Sequence, residues 1–179
     1  SALLEADNIP ARPSLVARPG RITPDALLDL PGVGPGRWSP LAGTLVEGIP
    51  ESLEEIRNGT VGVQDEGSQL VTLALSRAPI TSSTHRWLDM CAGPGGKAAV
   101  LDGLAVEQGA QLVAVEQHPH RAKLVRNTLG FNSTAEIMTG DASHHQWSGE
   151  FDRVLVDVPC TGLGALRRRP ESRWRRKLS

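Results

Sequence analysis

Cysteine is scarce in this chain: Cys91 and Cys160 are the two among 179 residues, far apart and without pairing or zinc-like spacing. That excludes a disulfide framework. No stretch approaches the run of about 20 apolar residues that a membrane-crossing helix needs, and the first residues lack a secretory-signal pattern. A reducing, cytoplasmic setting without a membrane partner is expected, with a monomer as the default state. No internal repeat is visible. No Lys-Ser/Thr pair follows the Gly-rich turn, which excludes a phosphate-binding P-loop. His118, His120, His144 and His145 stand in polar, loop-like segments, the usual setting of exposed side chains, so no metal is expected.

A hydrophobic content of 39% is enough for a core, and 19 Gly with 13 Pro imply many turns without a disordered composition. The net charge of −1 hides an asymmetry. Residues 167–179 carry seven basic side chains against Glu171, so a +6 end follows a −7 body. A polyanion contact at that end and a solvated terminal segment are both open on charge alone.

The texture changes near residue 60. Residues 1–60 are rich in proline and glycine, as in Leu30-Pro31-Gly32-Val33-Gly34-Pro35-Gly36. Ser14–Ala17 is predicted as a short strand, and Thr23-Pro24-Asp25 opens a helix that runs to about Leu30, where Pro31 stops it. A small, partial α+β accessory segment is expected here, ahead of a second domain over 61–179. There, Asp65-Glu66-Gly67-Ser68 leads into a helix from Gln69 to Ser76 with an apolar face and acids at its start, where the dipole favours them. Arg86–Met90, Gln111–Glu116, Ala135–Thr139 and Arg153–Asp157 read as strands. Lys97 to about Gln108 and Pro119–Leu129 read as helices. Strands alternating with helices specify a parallel sheet, hence an α/β, Rossmann-like doubly wound fold.

The turn Asp89-Met90-Cys91-Ala92-Gly93-Pro94-Gly95-Gly96-Lys97 lies between a predicted strand and a predicted helix. Open α/β sheets bind ligands outside the carboxyl ends of their strands. Glycines there allow close backbone approach, and helix-start N–H groups bind an anionic group. Glu116 ends the next strand, about twenty residues past Gly96, where an acid can accept both hydroxyls of a ribose. Asp141 follows the third strand and Asp157 ends the fourth. Any one of these acids is explained as a cap or loop residue. Four of them beside the glycines point to a nucleoside-like ligand, and to one cationic at sulfur rather than a pyrophosphate. Cys160, just past the last strand end, is on residue type alone either an inert buried thiol or a reactive one.

Val63-Gln64-Asp65-Glu66-Gly67-Ser68-Gln69, the run Leu88–Lys97, Gly140-Asp141-Ala142 and the run Phe151–Gly164 resemble, in order, the motifs of the Sun/Fmu (RsmB-like) family of S-adenosylmethionine-dependent RNA 5-methylcytosine methyltransferases. Arg167-Arg168-Arg169-Pro170-Glu171 with Trp174 is similar to the segment after that family's Pro-Cys motif. The likeness covers about residues 61–177. It implies S-adenosylmethionine as cofactor and RNA, ribosomal RNA above all, as substrate. It implies that Cys91, Ala92, Gly93, Pro94, Gly95, Gly96 and Lys97 wrap the methionine and ribose. Glu116 would hold the ribose hydroxyls with Arg121 assisting, Asp141 would contact the adenine, and Asp157 would sit near the methyl and the target base. Arg167, Arg168, Arg169 and Trp174 would grip RNA backbone and stack a base.

Cytosine C5 attacks a sulfonium methyl only after a thiolate has added at C6. In the family the attacking thiol belongs to a later Thr-Cys motif, and the Pro-Cys residue, here Cys160, assists breakdown of the intermediate. No cysteine follows Cys160, and the four predicted strands are fewer than a full sheet of this type. The chain is therefore expected to be a fragment that stops inside its catalytic domain, inactive by itself. It departs from the family's usual residues at Gly93 (Ala), Ala98 (Thr), Glu116 (Asp) and Thr161 (Ser). Glutamate at 116 keeps the carboxylate but lengthens it by one methylene. Two other readings stay open: a DNA cytosine-5 methyltransferase with Cys160 as nucleophile, whose motif would run Pro-Cys-Gln, and a catalytically inactive cofactor- or RNA-binding relic.

Overall fold

A computed structural model describes residues 12–81 and 83–158, of which Pro13–Asp157 form one compact unit built on two four-stranded sheets. The first sheet is antiparallel and comprises β1 (Ser14–Ala17), β2 (Val33–Pro35), β3 (Ala42–Leu45) and β4 (Val61–Val63), in the order β2-β3-β1-β4. Only β1 shows as a strand in the sequence. The other three are short, carry glycine or proline, and lack alternation; they become strands by pairing. Leu15 lies opposite Gly43 and Val63, and Val16 opposite Ala42 and Gly62. β1 is buried on both faces. Leu15 and Ala17 join Leu27, Leu45, Leu53 and Val61 in one core, while Val16 packs with Leu73 and Trp87 in the core of the second sheet.

Helix α1 (Pro24–Leu28) begins where expected: Thr23 Oγ1 accepts the Ala26 N–H at 3.2 Å and Pro24 fills the first turn. A 3₁₀ turn at Pro50–Ser52 and the single-turn α2 (Glu54–Arg57) lead into β4. Next comes α3 (Glu66–Arg77), and it corrects the expected apolar inner face. Gln69, Thr72, Leu73 and Ser76 point inward, whereas Leu70 and Val71 are exposed. Gln69 fixes this rotation, because its buried amide donates to Leu15 O at 3.1 Å and to Gln64 O at 3.0 Å. The helix also starts three residues before the predicted Gln69. Its first residue, Glu66, accepts backbone N–H bonds from Arg37 (3.1 Å), Trp38 (2.5 Å) and Ser39 (2.8 Å). Desolvation opposes ionisation of Glu66, but these three donors prevail and hold its pKa below the ordinary value.

The second sheet is parallel: β5 (Arg86–Asp89), β6 (Gln111–Glu116), β7 (Glu136–Thr139) and β8 (Arg153–Leu155), in the order β7-β6-β5-β8. Helices α4 (Gly96–Glu107) and α5 (Pro119–Leu129) are its crossovers. β6 and α5 have the predicted bounds, and the other ends differ by one or two residues, the usual uncertainty of termini. Leu112 to Glu116 are buried without interruption, as in a parallel strand covered on both faces. One face carries α4, which is itself buried through Ala98–Leu101, Leu104 and Ala105; the other gathers Leu88, Val113 and Val115 against Trp147 and Phe151. Arg18 and Arg21 close the C-terminal end of α5. Arg18 Nη1 donates to Gly59 O (2.8 Å) and Thr128 O (2.9 Å), and Arg21 donates to Leu129 O. Burial, then the charge of Arg21, lowers the Arg18 pKa to about 10. No helix among the described residues is long and apolar enough to cross a membrane.

Candidate cofactor-binding site

From β5 the chain passes through α4 to β6 and β7 on one side, then returns to β8 on the other. Strand order therefore reverses at the β5–β8 boundary, and there a crevice opens beyond the carboxyl ends of the strands. The Gly-rich turn occupies it and is bonded to both neighbours: the Met90 N–H reaches Leu155 O on β8 (3.0 Å) and the Ala92 N–H reaches Val115 O on β6 (2.8 Å). Asp89 Oδ1 accepts the Cys91 N–H at 3.1 Å. Gly95 adopts φ +117°, which L side chains avoid, and a Cβ there would stand 2.8 Å from Thr128 Cβ. This residue caps α4.

A cleft of about 220 Å³ is lined by Cys91, Ala92, Gly93, Pro94, Gly96 and Lys97 of the turn together with Gln64, Ser68, Asp89 and Asp157. Two larger hollows, of about 670 and 700 Å³, share Pro19–Arg21 and contain none of the strand-end acids. The smaller cleft holds the chemistry. Lys97 Nζ bonds Asp157 Oδ2 at 2.6 Å, across the switch point. Asp89 is 1% exposed, and burial pushes its pKa up to about 7 against the opposing pull of the Cys91 N–H and Lys97. The Cys91 thiol is raised too, by desolvation and then by Asp89, Glu116 and Asp157. Two buried acceptors of cleft residues, Asp89 Oδ2 and Gln64 Oε1, have no hydrogen-bond partner among the described residues.

Glu116 and Arg121 stand beside the turn rather than in the cleft lining. Glu116 Oε1 accepts the His118 N–H at 2.9 Å, its Oε2 is 3.5 Å from Arg121 Nε, and Arg121 Nη2 donates to Gly93 O at 2.6 Å. Asp141 lies further along the same edge, where the preceding Gly140 N–H bonds Glu116 O. Its oxygens serve its own turn: Oδ1 accepts from Ser143 N (2.9 Å) and Oγ (2.6 Å), and Oδ2 is 3.0 Å from His144 Nδ1. The Ser143 hydroxyl, then His144, lower its pKa to about 2. The ends of four adjacent parallel strands thus present Asp141, Glu116, Asp89 and Asp157 in a row. Cys160, Arg167, Arg168, Arg169 and Trp174 lie outside the described residues.

The sequence assigns no individual site role to Gln64 or Ser68, and Asp89 enters there only as one of the four strand-end acids that point to the ligand. Gln64 and Ser68 belong to a family-like run, but nothing in their residue types marks them as cleft residues. Among the described residues, no group of three or more His, Cys, Asp or Glu side chains is arranged to hold a metal ion.

A parallel sheet in this order, with a Gly-rich and acid-flanked cleft at its switch point, defines the Rossmann-like methyltransferase fold. The family model for 16S rRNA methyltransferase RsmB/F matches residues 78–179, more than half of the chain, and the chain belongs to that family. It is 51% identical over 177 residues to a Mycobacterium tuberculosis protein named as a candidate methyltransferase, covering 98% of this chain and 38% of that protein. It is 41% identical over 123 residues to ribosomal RNA small subunit methyltransferase B of Vibrio cholerae, covering 66% of this chain and 27% of that protein. The chain thus spans well under half the length of these relatives. Among solved structures, PH0851 superposes with a TM-score of 0.78 at 22% identity over 97% of this chain and 41% of its own. NSun6 from Pyrococcus horikoshii, solved with SFG, gives 0.53 at 23% identity over 65% of this chain and 30% of its own. At such identities these likenesses bear on the fold.

Proposed function

We propose that this chain supplies the S-adenosylmethionine-binding cleft of an enzyme that methylates cytosine C5 in RNA, with ribosomal RNA as the substrate. S-adenosylmethionine is the methyl donor of the family, and SFG, bound in the archaeal NSun6 structure, is its analogue. The observation that carries the cofactor reading is the cleft at the switch point, where the Gly-rich turn meets Asp89, Lys97 and Asp157 and where two acceptors, Asp89 Oδ2 and Gln64 Oε1, are buried without a partner among the described residues. Buried acceptors call for a donor or a cation. S-adenosylmethionine brings an ammonium and a sulfonium, and a pyrophosphate would bring charge of the wrong sign to Asp89 and Asp157. The residues fit this cofactor.

In this reading Cys91–Lys97 wrap the methionine and ribose, and Glu116 with Arg121 holds the ribose hydroxyls. Asp141 meets the adenine by sharing oxygens already bonded to Ser143 and His144. Asp157, tied to Lys97, stands near the methyl and the target base. The base is extruded to reach Cys160, while Arg167, Arg168, Arg169 and Trp174 hold the RNA. Cys91 is not the attacking thiol, because its surroundings disfavour the thiolate. The family's two-cysteine scheme leaves Cys160 to assist breakdown of the intermediate, and the attacking cysteine belongs to another part of the protein. Residues 1–60 act as an RNA-positioning segment and 61–179 as the start of the catalytic domain.

Calorimetric titration of this chain with S-adenosylmethionine tests the cofactor reading. Binding is expected, weakened by Glu116→Ala or Asp157→Ala, and a folded sample that gives no heat refutes it. A protein of the relatives' length should transfer methyl to ribosomal RNA with release of the C5 hydrogen of cytosine. The chain alone should show no multiple turnover, and turnover by it that Cys160→Ser abolishes would overturn the role given to Cys160.

A further inference from the structure

Glu116 ends β6 with its side chain 5% exposed, and it reaches the flank of Gly93. A Cβ at position 93 would overlap Glu116 Oε2, lie 2.9 Å from its Cδ and stand 3.1 Å from Arg121 Nε. The carboxylate cannot swing clear at little cost. Its Oε1 is held by the His118 N–H at 2.9 Å, and Arg121, which faces Oε2 at 3.5 Å, is itself bonded to Gly93 O at 2.6 Å. Arg121 thus grips the backbone of residue 93 with one nitrogen and faces the acid with another. We propose that Gly93 is a positioning residue for Glu116: the acid that meets the cofactor's ribose is placed by two residues together, a long acid at 116 and no side chain at 93. The inference rests on the reading above that Glu116 faces the ribose.

The two positions should change only in concert. Alanine at 93 evicts the glutamate carboxylate from its seat between His118 and Arg121. Aspartate at 116 withdraws the carboxylate by roughly 1.5 Å, one carbon–carbon bond, and leaves a void beside Gly93. Put together, the new methyl fills the void and the shorter acid avoids the overlap. Each change alone loses the geometry, and the pair regains it.

The test is a double-mutant cycle on the full chain with wild type, Gly93→Ala, Glu116→Asp and the double variant. Binding is measured with S-adenosylhomocysteine and with its 2′,3′-dideoxy counterpart. Each single change should weaken S-adenosylhomocysteine binding about tenfold, and the double variant should return to within about threefold of wild type, a coupling of the size that contacting residues show. The dideoxy ligand, which offers the acid nothing to hold, should bind all four proteins alike. Losses that add in the double variant, or that are equally large for the dideoxy ligand, overturn the inference while leaving the cofactor reading intact. Wild type that binds neither ligand overturns both. Should Gly93→Ala alone not fold, recovery of a cooperative thermal transition on adding Glu116→Asp reports the same coupling, and failure to recover overturns it.

Discussion

Replacing Asp89 by asparagine tests the electrostatics of the cleft directly. Asp89 is 1% exposed, and among the described residues only one of its oxygens is bonded, to the Cys91 N–H at 3.1 Å. Burial raises its pKa from 3.8 to about 7; the Cys91 N–H and Lys97 pull it down, while Asp157 and Glu116 push it up. Because the folded state holds this proton more tightly than the unfolded state, the group favours folding fully below pH about 4. That contribution is lost as pH rises toward about 7. A span from 3.8 to about 7 corresponds to something on the order of 4 kcal/mol. Asparagine keeps the acceptor for the Cys91 N–H but never ionises, so Asp89→Asn should remove this slope and stabilise the ligand-free protein at neutral pH. Its affinity for the cationic cofactor should fall at the same time. Denaturant unfolding of both proteins from about pH 4 to about pH 8 reads the difference. Identical pH slopes would refute the claim that Asp89 is ionised at a cost.

Lys97→Ala should change stability by less than about 1 kcal/mol, since Asp157 is half exposed, yet calorimetry should show a marked loss of S-adenosylmethionine affinity. Arg18→Ala removes the bonds to Gly59 O and Thr128 O that join the first sheet to the end of α5; a loss of about 3 kcal/mol is expected in urea unfolding, and lysine should not restore the two-carbonyl grip. Thr23→Ala deletes the cap on the Ala26 N–H and should cost about 1 kcal/mol, read as a small drop in melting temperature without change in cofactor binding.

The parallel sheet was legible because parallel strands covered on both faces are continuous apolar runs, and helices between them end at glycine or begin at proline. Gln111–Glu116 and Pro119–Leu129 carry those signals in full, and their bounds agree with the structure. The first sheet was largely illegible. Val33–Pro35, Ala42–Leu45 and Val61–Val63 are strands through their partners, and no local periodicity announces a strand that exists by pairing. The rotation of α3 was hidden for a similar reason: a helical wheel favours Leu70 and Val71 inward, but the bonds from Gln69 to Leu15 O and Gln64 O decide otherwise.

The alternation of strand and helix, the Gly-rich turn and the acid at each strand end follow from local periodicity and turn chemistry, and so are written in the residues themselves. Which groups share the cleft depends instead on how distant segments pack. Strand order sets β8 beside β5 and so brings Asp157 onto Lys97. Folding of the first sheet carries Gln64 to the turn and leaves its oxygen without a partner among the described residues. Burial of Asp89, which no motif records, is what lifts its pKa, since desolvation depends on everything packed around a carboxylate and not on its neighbours in the chain.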